Sequence, residues 1–338
     1  MLDASAAPLP PSAGGPVFSV PVFSVVVPVF DEEAGLLAFH ARLAPVMDRL
    51  GEWEAVYVND GSQDGTLALM QALRRTDPRL AIVNLSRNFG KEIATTAGLD
   101  HARGDAVIVI DADLQDPPEV IPDLVAAWRD GVDVVYAQRR RRQGEHWAKR
   151  ASAALFYRLM QRFGPVRLPC DTGDFRLMSR RVVDAVLQLR EQHRFMKGLF
   201  AWVGFPSRAV PYDRAPRHAG GSKWSYWSLW NLALEGITSF TVMPLRLATY
   251  LGLLVAASSA IYAAEVVVKT LILGNDVAGY PSLMTVVLFL GGVQLMTLGV
   301  IGEYLGRVFN ETKGRPLYLV ERFVPSEQPA AALARAAE

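Results

Sequence analysis

The chain has 338 residues, 51% of them hydrophobic, and Lys+Arg 35 against Asp+Glu 34 leave a formal net charge of +1. That balance excludes the global basic excess of a nucleic-acid binder, so any phosphate-directed charge has to be local. The single cysteine, Cys170, excludes an intrachain disulfide and suits a reducing compartment.

Residues 1–20 are rich in Ala, Pro, Ser and Gly and contain no Lys or Arg. They lack the basic start and apolar run of a secretory signal and read as a disordered tail. From Phe23 the pattern is strand, loop, helix, repeated. Phe23–Val29 is a β-branched run, and Leu36, Leu37, Phe39, Leu43 and Val46 mark a helix after Asp31. Strands follow at Ala55–Val58, Leu80–Leu85 and Asp105–Ile110, alternating with helices at Ser62–Arg75 and Lys91–Ala102. Near-continuous apolar strands alternating with helices predict an α/β fold, a mostly parallel sheet covered on both faces. Polar clusters stand at the strand exits, where such sheets bind ligands: Asp31-Glu32-Glu33, Asn59-Asp60-Gly61-Ser62, Arg87-Asn88-Phe89-Gly90 and Asp111-Ala112-Asp113.

Beyond Lys223 the character changes. Tyr226–Met243 is aromatic with one charge, Glu235, and suits a helix lying at a membrane interface. Leu247–Ala264 and Tyr280–Gly302 are long enough to cross a ~30 Å hydrocarbon layer; buried core helices are the competing reading. The loop between them has Asp276 and no Lys or Arg, whereas Arg246 precedes the first run and Arg307, Lys313 and Arg315 follow the second. The positive-inside bias then places both ends of the chain in the cytoplasm. The expected layout is a catalytic domain over 21–225, a juxtamembrane segment over 226–245, transmembrane helices over 246–272 and 280–306, and a cytoplasmic tail over 307–338.

Asp111 and Asp113 can both turn toward one hard cation, Mg²⁺ or Mn²⁺, with Gln115 adding a neutral oxygen; a solvated turn explains the same residues. Arg139–Arg142 forms a run whose guanidinium forks match phosphate, or which rests as a basic surface on anionic lipid. Trp147–Phe163 reads as a basic amphipathic helix. Asp171-Thr-Gly-Asp174-Phe-Arg176 reads as a loop with two acids and a base, and Gly220-Gly-Ser-Lys223 as a flexible loop ending in a cation. His40, His101, His193 and His218 have no metal-ligand spacing and are expected to be structural or surface residues.

Taken in order, VVVPVFDEE (Val25–Glu33), NDGSQDGT (Asn59–Thr66), SRNFGKE (Ser86–Glu92), DADLQDPPE (Asp111–Glu119), DTGDFRLM (Asp171–Met178) and RHAGGSKWS (Arg217–Ser225) resemble glycosyltransferase family 2. PLRLATYLG (Pro244–Gly252) and GEYLGR (Gly302–Arg307) resemble its polyprenyl-phosphate branch with two spans. The resemblance implies a GT-A fold and inverting transfer of a sugar, glucose first, from a UDP-sugar to undecaprenyl or another polyprenyl phosphate. It implies action at the bacterial inner membrane and a homo-oligomer, with a tetramer as one form.

By the same resemblance Pro28, Phe30, Glu32, Asp60, Asn88, Lys91, Asp111 and Lys223 attend the nucleotide sugar. Asp111, Asp113 and Gln115 hold the metal. Arg139, Arg142, Arg176 and Lys223 meet the acceptor phosphate, and Asp113, Asp174, Arg139 and Arg142 serve catalysis. Phe30 stands where the family commonly has Tyr, and Asn59 where it has Asp. A polysaccharide or other lipid synthase is the rival enzyme, although no Q-x-x-R-W element is present; a non-catalytic nucleotide-sugar-binding component is the rival of another class. No G-x-G-x-x-G follows a strand and no Walker-type loop occurs.

Overall fold

The computed structural model describes residues 22–140, 172–192, 194–214, 243–273 and 279–327. Cys170, Arg142, Asp171, His193, His218, Lys223, the expected helix over 147–163 and the segment 226–242 lie outside the described residues.

In chain order the elements are β1 (Phe23–Val29), α1 (Leu36–Met47), β2 (Trp53–Asn59), α2 (Thr66–Thr76), β3 (Leu80–Leu85) and α3 (Lys91–His101). There follow β4 (Ala106–Val109), a 3-10 turn at Pro118–Val120, α4 (Ile121–Arg129), β5 (Val134–Arg139), β6 (Thr172–Ser179), α5 (Arg180–Leu187), α6 (Met196–Trp202) and β7 (Ser207–Tyr212). Two long helices, α7 (Met243–Leu273) and α8 (Tyr280–Thr312), precede a last strand, β8 (Val320–Val324).

One sheet runs β7-β5-β6-β4-β1-β2-β3-β8. Its centre, β4-β1-β2-β3, is parallel, as the alternating pattern predicts, and β5 and β7 also run parallel. The sheet as a whole is nonetheless mixed. β6 is antiparallel to both β4 and β5, and β8 is antiparallel to β3. The segment read as an acidic loop at Asp174–Arg176 is therefore strand. Thr-Gly-Asp at its start carries turn-type residues, but Phe175, Leu177 and Met178 are buried and draw the backbone into the ladder between β4 and β5.

Successive strand residues face opposite sides of the sheet and build two cores. Val25, Val27, Tyr57 and Ile108 pack with Leu36, Phe39 and Leu43 of α1, while Val26, Val58 and Val109 pack with Ala94 and Ala97 of α3 and Val182 of α5. α2 begins at Thr66 rather than Ser62. The intervening residues are engaged in tying two loops together: Gln63 N–H donates to Asp31 Oδ1 (2.8 Å), and Asp31 N–H to Ser62 Oγ (3.0 Å).

The stretch expected to form a cytoplasmic tail returns to the domain. Beyond β8, Ser326 Oγ donates to Glu54 Oε2 (2.7 Å), a buried carboxylate that also accepts Ser24 Oγ (2.7 Å) and Arg103 Nη2 (2.7 Å). Tyr318 OH donates to Asp100 Oδ2 (2.7 Å). On the other side of the hairpin's end, Gln192 N–H donates to Glu311 Oε1 (2.7 Å). The two helices form where the apolar runs predict. Among the described residues, Phe289–Thr312 is the one segment long and apolar enough to cross a membrane, and none of its most apolar window is buried.

His40 is structural, as expected. Its Nδ1 meets Tyr57 OH at 2.9 Å and its Nε2 lies 3.4 Å from Asp77 Oδ2. Burial lowers its pKa below the ordinary 6.5, against the opposing pull of Asp77. A folded state that favours the neutral ring loses stability as pH falls through 6.5, where the unfolded chain takes up the proton. The melting temperature of the wild type should accordingly drop between pH 7 and 5.5, and that of His40→Gln should change less across the same interval. Parallel curves would remove His40 as the cause.

Candidate active site

The carboxyl ends of β4, β1, β2 and β3 lie side by side, so their exit loops form one rim. Asp60 stands at the end of β2 and is 2% exposed. Its two oxygens accept the backbone N–H groups of Phe89 (2.7 Å) and Gly90 (2.9 Å). Burial raises its pKa, with these N–H groups opposing. The residue expected to line the nucleoside pocket thus also holds the loop that carries Asn88 and Lys91. That loop comes so close that a Cβ on Gly61 would stand 2.5 Å from Asn88 N, and Gly61 has φ +69°. Both conditions require glycine there.

From β1, Pro28 and Phe30 are half-buried, and Glu32 N–H donates to Thr66 Oγ1 (2.9 Å). A Cβ on Gly35 would lie 3.7 Å from Glu32 Oε2 and 3.9 Å from Ala112 O, so Glu32 sits beside the Asp111-Ala112-Asp113 turn. In that turn Leu114 takes φ +59°, and Gln115 N–H donates to Asp113 Oδ1 (3.0 Å). The backbone is bent back on itself immediately after the two acids.

Lys91, the first residue of α3, joins the two halves of the sheet. Its Nζ lies 2.7 Å from Asp111 Oδ2 after β4 and 2.7 Å from Asp174 Oδ2 in β6. The Asp174 side chain is 13% exposed, and its Oδ1 is buried without a hydrogen-bond partner. Burial would push Asp174 upward, but Lys91, with Lys197 and Arg176 nearby, holds it well below the usual carboxylate range. Burial pulls the Lys91 ammonium down, and the two carboxylates outweigh it and hold it well above its ordinary value. Asp111 is shifted up, chiefly by burial. The charge pattern is two anions on one shared cation.

Arg139, at the end of β5, belongs to the same neighbourhood. Its Nε donates to Tyr212 OH (3.4 Å), and Tyr212 in turn donates to the buried Asp116. A Cβ on Gly173 would stand 3.2 Å from Arg139 Nη2 and 3.7 Å from Asp116 Oδ2, so this glycine leaves room for the pair next to Asp174. Burial draws the Arg139 pKa down, yet Tyr212, Asp116 and Asp111 together raise it.

Arg176 is placed differently from the expectation of an acceptor-phosphate contact. It is 4% exposed, donates to Asp174 O (3.2 Å) and Gly173 O (3.1 Å), and stacks on Phe200 at 3.9 Å. Burial pushes its pKa down to about 10. A strand residue between two packed neighbours turns inward, and here its fork holds the backbone beneath Asp174. Arg142 and Lys223 lie outside the described residues.

Three residues went unassigned in the sequence. Glu92, next to Lys91, accepts Met196 N–H (2.9 Å); burial, then Asp174, raises its pKa to about 7. Asp116 and Tyr212 form the bracket under Arg139. Glu92 and Asp116 lie inside motifs that were read, but only the fold reveals their partners. Tyr212 lies outside every motif.

Replacing Lys91 by Met should leave Asp111 and Asp174 repelling each other across the site. We expect kcat/KM to fall by about 10²-fold, the usual scale for losing one charge-stabilising donor. Lys91→Arg should recover part of that loss in the same steady-state assay, and unchanged rates in both variants would remove Lys91 from the site.

Residues 24–187 match the profile of glycosyl transferase family 2, and residues 243–308 match that of the GtrB C-terminal hairpin. An uncharacterized glycosyltransferase of Synechocystis sp. is 55% identical over 298 residues, covering 88% of this chain and 94% of its own. A bactoprenol glucosyl transferase of Shigella phage SfV is 50% identical over 299 residues, 88% of this chain and 97% of its own. A prophage bactoprenol glucosyl transferase homolog of Escherichia coli K12 is 48% identical over 300 residues, 88% of this chain and 98% of its own.

Proposed function

This chain belongs to glycosyltransferase family 2, and on that premise we propose that it moves glucose from UDP-glucose to the phosphate of a polyprenyl lipid at the cytoplasmic face of a bacterial membrane. The bactoprenol glucosyl transferases to which it is similar support the lipid and the sugar. The observation that carries the reading is Lys91 Nζ held 2.7 Å from both Asp111 and Asp174, with Asp174 Oδ1 buried and unpartnered beside it.

The chemistry is one of charge. A phosphate monoester has a second pKa of about 6, so near neutral pH its oxygen is already a nucleophile. Bringing that anion to an anionic diphosphate is the harder task, and Lys91 and Arg139 supply fixed positive charge where the two meet. Asp174, held in its ionised form, offers Oδ1 as an acceptor and so orients a hydroxyl of the sugar. Direct displacement by the lipid phosphate inverts the anomeric centre.

Asp111, Asp113 and Gln115 offer the oxygen donors that a hard divalent cation prefers. Among the described residues no group of three or more His, Cys, Asp or Glu side chains gathers for a metal. The donor set therefore fits Mg²⁺ or Mn²⁺ whose shell is completed by diphosphate oxygens. Bound there, the ion supplies charge stabilisation to the departing diphosphate.

Anchoring rests on α7 and α8. Leu271 is 81% exposed, Ile272 74% and Leu295 72%, an apolar surface suited to lipid and to neighbouring copies of the chain. Arg307, Lys313 and Arg315 cluster at the domain end of α8, the side that positive-inside bias assigns to the cytoplasm.

Membranes or detergent-purified protein given UDP-glucose and undecaprenyl phosphate should form a glucosylated lipid phosphate, read by mass. Undecaprenol should give no product, and chelator or Asp113→Ala should stop turnover while the circular dichroism spectrum is kept. Glucosylation of undecaprenol would defeat the phosphate acceptor, and full activity in chelator would defeat the metal.

A further inference from the structure

We propose that Glu321, on the returning strand β8, is a positioning residue for the donor loop after β2 and acts through a polarised chain of two buried amides. The inference rests on reading the Asp60 loop as part of the nucleotide pocket. Asn59 and Asn84 are 2% and 7% exposed. Asn84 Nδ2 donates to Glu321 Oε2 (2.8 Å), Asn59 Nδ2 donates to Asn84 Oδ1 (2.7 Å), and Ser62 N–H donates to Asn59 Oδ1 (3.3 Å).

An amide can sit either way round, offering NH₂ or oxygen to a neighbour, whereas a carboxylate only accepts. Glu321 therefore dictates the direction of the whole chain. Asn84 must turn its NH₂ toward β8 and its oxygen toward Asn59. Asn59 must then donate to Asn84, which leaves its own oxygen for Ser62. Ser62 Oγ accepts Asp31 N–H, so the same chain ends in the tie between the β1 and β2 exit loops, on either side of Asp60. Buried amides that face each other donor to donor are costly, and the direction is accordingly enforced.

The strand itself is shaped for this contact. Asn84 pairs with Arg322 and Leu85 with Val320, so the register shifts and Glu321 is the residue without a cross-strand partner. Such a bulge re-aims one side chain while the ladder continues on both sides. Backbone pairing already attaches β8 to β3 without Glu321, and the carboxylate's contact is with Asn84.

The test is a charge swap on the full-length protein in detergent, read as the Kd for UDP by calorimetry and the KM and kcat for UDP-glucose. Glu321→Lys sets a donor against Asn84 Nδ2 and should raise Kd and KM about tenfold, with kcat changing less. Glu321→Gln keeps an acceptor and should stay within about twofold. Asn59→Asp alone makes both ends acceptors, of which Asn84 can serve only one, and should also cost about tenfold. Combining Asn59→Asp with Glu321→Lys reverses the chain end to end and should restore Kd to within about threefold of wild type.

Additive losses in the double variant, or equal damage from Gln and Lys, would overturn the proposal. Should wild type itself bind no UDP, the pocket reading fails instead. The relay is then decided by the melting temperatures of the same proteins, where the double variant must recover what each single loses.

Discussion

A single ammonium group decides whether this site can exist. Asp111 leaves the parallel centre of the sheet and Asp174 comes from the antiparallel strand beside it, and their carboxylates converge on one point. Two anions brought together under partial cover repel, and the Lys91 cation between them makes the convergence favourable. Lys91 holds that place because Asp60 fixes the preceding loop through two backbone N–H groups. The donor loop, the acidic turn and β6 are thus mechanically one unit, although they are far apart in sequence.

Around this centre the remaining polar groups divide into those that face the reactants and those that hold the backbone. Arg139 is steadied by Tyr212 and Asp116 and keeps its positive charge. Arg176 lies deeper, bonded to carbonyl oxygens and stacked on a ring, and it stiffens the strand that carries Asp174. Glu92 links the start of α3 to the start of α6 through Met196 N–H. The rigidity matters chemically, since fixed dipoles and charges need no reorganisation when charge moves between donor and acceptor.

Much of this was readable in the chain. The first four strands announce themselves by β-branched apolar runs, each ending in a polar cluster, and Asp111, Asp113 and Lys91 all lie in those clusters. β6 was hidden because its first residues are of turn type; its strand character comes from burial between β4 and β5, which is a tertiary property. β8 was hidden for a related reason. Val-Glu-Arg-Phe-Val is short and exposed, and it becomes strand only because β3 offers it an edge. Arg176 carries the right chemistry for a phosphate, and its inward direction is set by strand pairing that composition does not reveal. The partners of Glu92, Asp116 and Tyr212 come from distant positions, so local spacing gave no sign of them.

The homecoming of residues 318–327 also bears on how the enzyme can be divided. Cutting the chain before the hairpin to obtain a water-soluble domain would remove β8 and leave β3 as a bare sheet edge, a ready template for aggregation. The same cut would withdraw Ser326 from Glu54 and Tyr318 from Asp100, uncovering two acids beneath the rim. A soluble version would keep both sides of the hairpin and replace only the helices with a short linker, so that the final strand still finds its place.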